Sequence, residues 1–133
     1  MYMYFQIKWH LFLRVKNEIK ADKLLKQFEN ATRLQIKEKT YGRLEDKSLF
    51  EAKFVTEYID HLEISQAVLT TLLLVNSIGT CWTVYSPKEG KDPWTNEIVW
   101  SFEGISNSSK ITGITWGQFV LQTNTKLEYG WNY

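Results

Sequence analysis

The sequence predicts an α+β fold: a ferredoxin-like, split β-α-β-β-α-β sandwich with one or two additional C-terminal antiparallel strands. Three observations predict it. The N-terminal segment alternates apolar and polar residues with period two. Two stretches of helical period follow, at residues 19–31 and 64–79. Each helix then gives way to segments that return to strand character. In such a fold the helices cover one face of an antiparallel sheet. The other face meets solvent, the additional strands or a second copy of the chain.

The first strand is the clearest element. Phe5, Ile7, Trp9, Leu11, Leu13 and Val15 alternate with Gln6, Lys8, His10, Phe12, Arg14 and Lys16, so one face is apolar and the other mostly polar. In the next segment Ala21, Leu24, Leu25, Phe28 and Ala31 share one side of a helix, with lysines largely on the other. Residues 34–40 alternate again, residues 41–43 read as a turn or strand extension, and residues 48–56 return as a strand carrying Phe50, Ala52 and Phe54. The second helix, ISQAVLTTLLLVNSIG, has Ser65 as its expected N-cap, Ile64 and Leu69 as a hydrophobic staple, and Gly79 as its left-handed terminator. Apolar residues surround much of it, which predicts deeper burial than for the first helix. Three β-like pieces follow at residues 81–85, 97–102 and 111–123, separated by loops rich in turn formers. Gly113 and Gly117 bracket Trp116, which predicts a bulge or a close backbone approach in the last of them.

At 133 residues the chain is read as one domain, residues 1–133, with residues 124–133 either a further strand or a loose tail. Aromatic residues reach 15%, an excess that serves cores and interface hot spots alike. The net charge of +1 conceals an uneven distribution: residues 1–43 carry +6, residues 44–63 carry −4 and the remainder −1. A single cysteine excludes an internal disulfide. MYMYFQIKWH has neither the basic region nor the apolar run of a signal peptide, so the expected location is the cytoplasm.

Residue types that carry catalysis are sparse. A cysteine nucleophile needs a base, and His10 and His61 are the two histidines available to Cys81. Cys81, between Gly79 and Trp82 in a β-like run, reads as a small packed residue. No metal-ligand spacing and no phosphate-cradling glycine loop occurs, so no cofactor is expected and the protein is read as a non-enzyme.

Binding is the reading that remains. The acidic stretch containing Glu57, Asp60 and Glu63 suits a basic partner surface. In the segment CWTVYSPKEGKDPW, the charged loop at residues 86–93 presents Lys88, Lys91 and Asp92 between two prolines that stiffen its ends. Trp94 closes that loop, either as a rigid anchor for a partner or as a ring folded back over the core edge. The alternative is a nucleic-acid-binding sheet face using Lys8, Phe12 and Arg14 beside Phe50 and Phe54. The near-zero net charge and the missing basic–Gly–aromatic signature weigh against it. Phe12, Trp82 and Trp100 do not fit one core together, which points to a covered second face or a homodimer.

The C-terminal half carries a resemblance. An apolar helix ending in NSIG, then CWTVYSP, a charged loop, EIVWSFEGISNSS and ITGITWGQFVL follow one another. This order, with the late glycine-x-x-tryptophan strand Gly113–Trp116, resembles the small immunity proteins of bacterial polymorphic-toxin and contact-dependent growth inhibition systems. The resemblance implies stoichiometric neutralisation of a cognate protein toxin, often a nuclease, in the cytoplasm. It implies occlusion of the toxin's active site without catalysis by this chain. Members bind through individual surfaces, so it assigns no functional residues.

Overall fold

A computed structural model describes residues 2–45, 49–91, 93–94 and 96–123. It shows an α+β protein with two helices and, among the described residues, a seven-stranded sheet whose pairings are all antiparallel. Strand β1 (Phe5–Leu13) buries each odd-numbered residue, as its alternation requires, and leaves Gln6, Lys8, His10 and Phe12 on the opposite face. Helix α1 (Glu18–Thr32) starts where the Asn17 side chain accepts the Lys20 N–H at 3.0 Å. It stops at Arg33, whose left-handed backbone turns its N–H back onto the Glu29 carbonyl at 2.7 Å. Between these caps Ala21, Leu24, Leu25 and Phe28 bury one stripe against the sheet.

Strands β2 (Lys37–Arg43) and β3 (Phe50–Glu57) lead to α2 (Ile64–Val75). Short strands β4 (Gly79–Thr80), β5 (Thr83–Val84) and β6 (Lys88–Lys91) precede β7 (Ile98–Ser106), β8 (Ser108–Ser109) and β9 (Ile114–Thr123). The main sheet runs β2-β3-β1-β9-β7-β5, with β6 also paired to β7, while β4 and β8 form a separate pair. The last long strand therefore returns to the middle of the sheet beside the first. Residues between α2 and β9 extend the sheet past β9 as β7, β5 and β6.

Both helices contribute to one apolar core, so they share a face of the sheet. Trp9 lies at its centre, edge-on to Phe28 at 4.8 Å and offset from Phe54 and Phe119 at 6.3 Å each. Among the described residues, the opposite face of the sheet carries no helix.

Several expectations are corrected. The first strand ends at Leu13, before Val15. Glu63, not Ser65, is the N-cap of α2 and forms a capping box with Gln66. The helix ends at Asn76 in right-handed geometry, and Gly79 belongs to β4 instead of terminating the helix in left-handed geometry. Cys81 is exposed at positive φ between β4 and β5, not packed in a strand. Part of the expected charged loop is strand β6, because residues 88–91 pair with residues 98–101. The expected bulge does occur: register shifts opposite Phe12 and Leu13, leaving Thr115 between residues that face opposite sides.

Helix α2 is also less buried than α1, contrary to its composition. Only Ala67, Thr71 and Val75 are fully buried, one residue every four, which is a single narrow stripe. Leu69 and Leu73 lie 58% and 66% exposed. Strands β5, β6 and β7 widen the sheet, and among the described residues nothing covers Leu69 and Leu73 enough to bury them.

Candidate partner-binding surface

The poorly covered helix opens onto a groove. Ile64, Ser65, Val68, Leu69 and Leu72 of α2 form one wall, and Pro87 and Trp100 form the other, around a volume of about 390 Å³. Small residues explain the geometry below it. Ala67 and Thr71 let the helix backbone approach the sheet, and the Thr71 hydroxyl shares a 2.9 Å hydrogen bond with the Tyr58 phenol. Burial pushes the Tyr58 phenol above its ordinary pKa, an effect that the Thr71 hydrogen bond opposes. On the strand side, the Trp100 backbone N–H donates to Thr123 Oγ1 at 2.9 Å, which ties β7 to the end of β9.

Apolar exposure continues beyond the groove. Val84 and Tyr85 precede Pro87, and Ile98 lies two residues before Trp100 on the same face of β7. Trp94, in the β6–β7 connection, is 93% exposed, so of its two expected placements the outward one holds. Exposed aliphatic and aromatic side chains concentrated around one groove are unusual on a surface that meets only water.

Two of the sequence-predicted residues adjoin this groove. Glu63 immediately precedes Ile64, and Lys88 immediately follows Pro87. Lys91 pairs in register with Ile98. Asp92 lies outside the described residues. Glu57 and Asp60 line a separate open cleft of about 640 Å³ with Tyr4, Arg33, Lys37 and Ile59. Glu57 is held there by Lys37, whose Nζ lies 3.4 Å from Glu57 Oε2. Register puts Glu57, Gln6, Gln122, Ser101 and Lys88 in one row across the sheet, four strand spacings or about 19 Å from end to end. The acidic and basic groups are thus at one end of the sheet but do not touch. Glu63 has a structural duty in the capping box, which its charge alone did not reveal.

The residues considered for catalysis are dispersed. His10 Nε2 lies 2.9 Å from Glu51 Oε2 on the open sheet face, while the His61 ring sits 3.8 Å from that of Tyr4. Cys81 is exposed and lines none of the cavities described above. Among the described residues, no group of three or more His, Cys, Asp and Glu is placed to hold a metal ion, and no helix is long and apolar enough to cross a membrane.

Two aromatic expectations change. Phe50 and Phe54, assigned to a nucleic-acid face by sequence, are buried in the core. Phe12 does reach the open face, where it packs against Trp116 at 4.7 Å. Trp82 is not surplus to the core either: its Nε1–H donates to the Val75 carbonyl at 3.0 Å and its ring meets Phe119 edge-on.

Compared with known proteins, the chain matches no protein-family model, no curated protein and no solved structure.

Proposed function

We propose that this protein acts by binding another protein, and that the partner is a bacterial toxin which it neutralises one-to-one by covering the toxin's active site. The single observation that carries the reading is the apolar groove between α2 and the Pro87–Trp100 wall, with Leu69 and Leu73 exposed beside it. An apolar centre edged by charged residues has the anatomy of a protein–protein hot spot. Glu63, Lys88 and Lys91 supply the charged edge, Trp94 supplies an aromatic that extends the contact, and Glu57 and Asp60 offer acidic groups in the separate cleft. Occlusion needs no reactive group on this chain, and the expected site of action is the cytoplasm.

The resemblance of the C-terminal half to immunity proteins supports the same reading. The fold core is read as ferredoxin-like, which by itself assigns no function. β1, α1, β2, β3, α2 and β9 follow one another in the chain, and their strands lie in the order β2-β3-β1-β9. We read this as the split βαβ sandwich, with residues 79–109 inserted before its last strand to build one wall of the groove.

The test is co-expression with the toxin encoded beside this gene. A tight one-to-one complex and survival of the cells are expected, with both lost in Leu69→Glu/Leu73→Glu. Unchanged killing in cells that express the protein overturns the pairing. Full protection by the doubly substituted protein overturns the groove as the site.

A further inference from the structure

We infer that the open face of the sheet is a second binding site, for single-stranded nucleic acid, formed by the central strands β1 and β9. The register places four pairs of residues along that face: Phe12 with Trp116, His10 with Gln118, Lys8 with Val120, and Gln6 with Gln122. None of these eight residues is a carboxylate. They span three steps of two residues each, or about 20 Å.

One end of the stripe is aromatic. The Phe12 and Trp116 rings lie 4.7 Å apart at 34°, and His10 stands edge-on to them at 5.4 and 5.2 Å. Each is half-buried, so the rings are braced by the sheet while part of each remains open to a ligand. Such rings are platforms on which bases stack, whatever the sequence. Next to them is a shallow depression of about 240 Å³, edged by Lys8, His10, Glu38, Lys53 and Gln118 and floored by Val55 and Val120.

Carboxylates flank the stripe on both sides: Glu103 on β7 pairs in register with Val120, and Glu51 and Glu57 on β3 pair with Phe12 and Gln6. Glu51, on β3, is engaged by His10 at 2.9 Å and Lys53 at 3.8 Å, and Glu57 is engaged by Lys37. Lys8 is exposed and has no carboxylate partner among the described residues. Its ammonium is therefore available to a phosphate, while the amides of Gln6, Gln118 and Gln122 offer donors and acceptors to base edges. A duplex has its bases stacked inside and cannot use the aromatic pair, so the site selects single strands.

This site is separate from the α2 groove, and its test does not depend on a toxin. The full chain is titrated into fluorescently labelled oligouridylate and oligothymidylate of about ten nucleotides, and into a duplex of equal length, at about 50 mM salt. Saturable binding of the single strands is expected, with quenching of tryptophan fluorescence, at least tenfold weaker binding of the duplex, and loss of affinity as salt rises to about 200 mM. Lys8→Glu, on an exposed side chain, is expected to weaken binding at least tenfold while the thermal midpoint is unchanged. Trp116→Ala is expected to do the same, with circular dichroism reporting that the fold persists. Absence of binding at low salt overturns the proposal. So does equal affinity for the duplex, or binding indifferent to Lys8→Glu. A result in which the Lys8→Glu face captures or releases only an acidic protein also overturns it, and assigns the surface to that protein.

Discussion

The indole N–H of Trp9 donates to Thr56 Oγ1 at 2.9 Å, entirely inside the core, joining the centre of β1 to the neighbouring strand β3. Trp9 is the largest fully buried side chain among the described residues, and its polar nitrogen is satisfied because Thr56 presents a hydroxyl at that depth. Thr56→Val keeps the shape but removes the acceptor, leaving a buried donor unpaired. The expected loss is about 1–3 kcal/mol of stability, measured by urea denaturation. Trp9→Phe/Thr56→Val is expected to lose less than the sum of the single changes. Additive losses would show that the hydrogen bond contributes nothing.

This core was legible in the sequence wherever one face of an element is buried along its whole length. The odd-numbered residues of β1 and the stripe Ala21, Leu24, Leu25, Phe28 are of that kind, because each period points at one covering layer. Legibility failed where coverage is partial. Helix α2 is apolar nearly all round, yet the sheet covers one stripe and leaves Leu69 and Leu73 outside. Strand β6, KEGK, has no apolar alternation, and its pairing is set by residues 98–101 opposite. Trp116 was missed as the partner of Phe12 because the bulge at Thr115 reverses the alternation of β9 at that point. The groove itself joins residues 64–72 to Pro87 and Trp100, and no local pattern announces a contact between segments so far apart.

Gly104 illustrates close packing with no positive φ to explain the glycine. A Cβ built there would lie 2.7 Å from Phe119 Cε2 and 3.0 Å from Val84 Cγ1. The Phe119 ring is fixed between Trp9, Trp82 and Phe102, so it has no free direction in which to retreat. Gly104→Ala is expected to cost about 1–3 kcal/mol as an overpacked core, measured by thermal or chemical unfolding. Gly90→Ala, with nothing within 4 Å, serves as the control and should leave the midpoint unchanged.

Glu63 and Asp60 separate the structural use of charge from its use in binding. Glu63 caps α2: its side chain accepts the Gln66 backbone N–H, and its own backbone N–H donates to the Gln66 side chain at 3.0 Å. Glu63→Ala is expected to destabilise the fold by about 1 kcal/mol through the lost cap. Asp60 is exposed in the loop before the helix, so Asp60→Ala should change stability by no more than about 0.5 kcal/mol. Any loss of partner affinity on replacing Asp60 then reports on the interface, whereas a loss on replacing Glu63 has to be compared with the unfolding curve of the same variant. Equal midpoints for both variants would contradict the capping role.

Asp22, on α1, receives both Lys39 and Tyr41 from strand β2, which couples a helix to the sheet edge by charge. Lys39 Nζ lies 2.8 Å from Asp22 Oδ1, and the Tyr41 phenol donates to the same oxygen. The hydrogen bond from Lys39, then that from Tyr41, holds the Asp22 carboxyl below its ordinary pKa. Burial first, then the hydrogen bond to Asp22, pushes the Tyr41 phenol above its own. The signs give two pH windows. The Asp22 contribution is present above the unfolded carboxylate pKa of about 3.9 and is lost as pH falls through the lower folded value. The Asp22 side chain is 54% exposed, so solvent screening keeps that contribution small. The Tyr41 contribution is present below about pH 10 and is lost as pH rises towards the higher folded value. Asp22→Asn is expected to lower the pH at which Tyr41 ionises without restoring an ordinary phenol, because burial remains. Phenolate absorbance, read as the difference from Tyr41→Phe in each background, measures the shift. An unchanged Tyr41 titration in Asp22→Asn would mean that burial alone sets its pKa and that the carboxylate does not reach it.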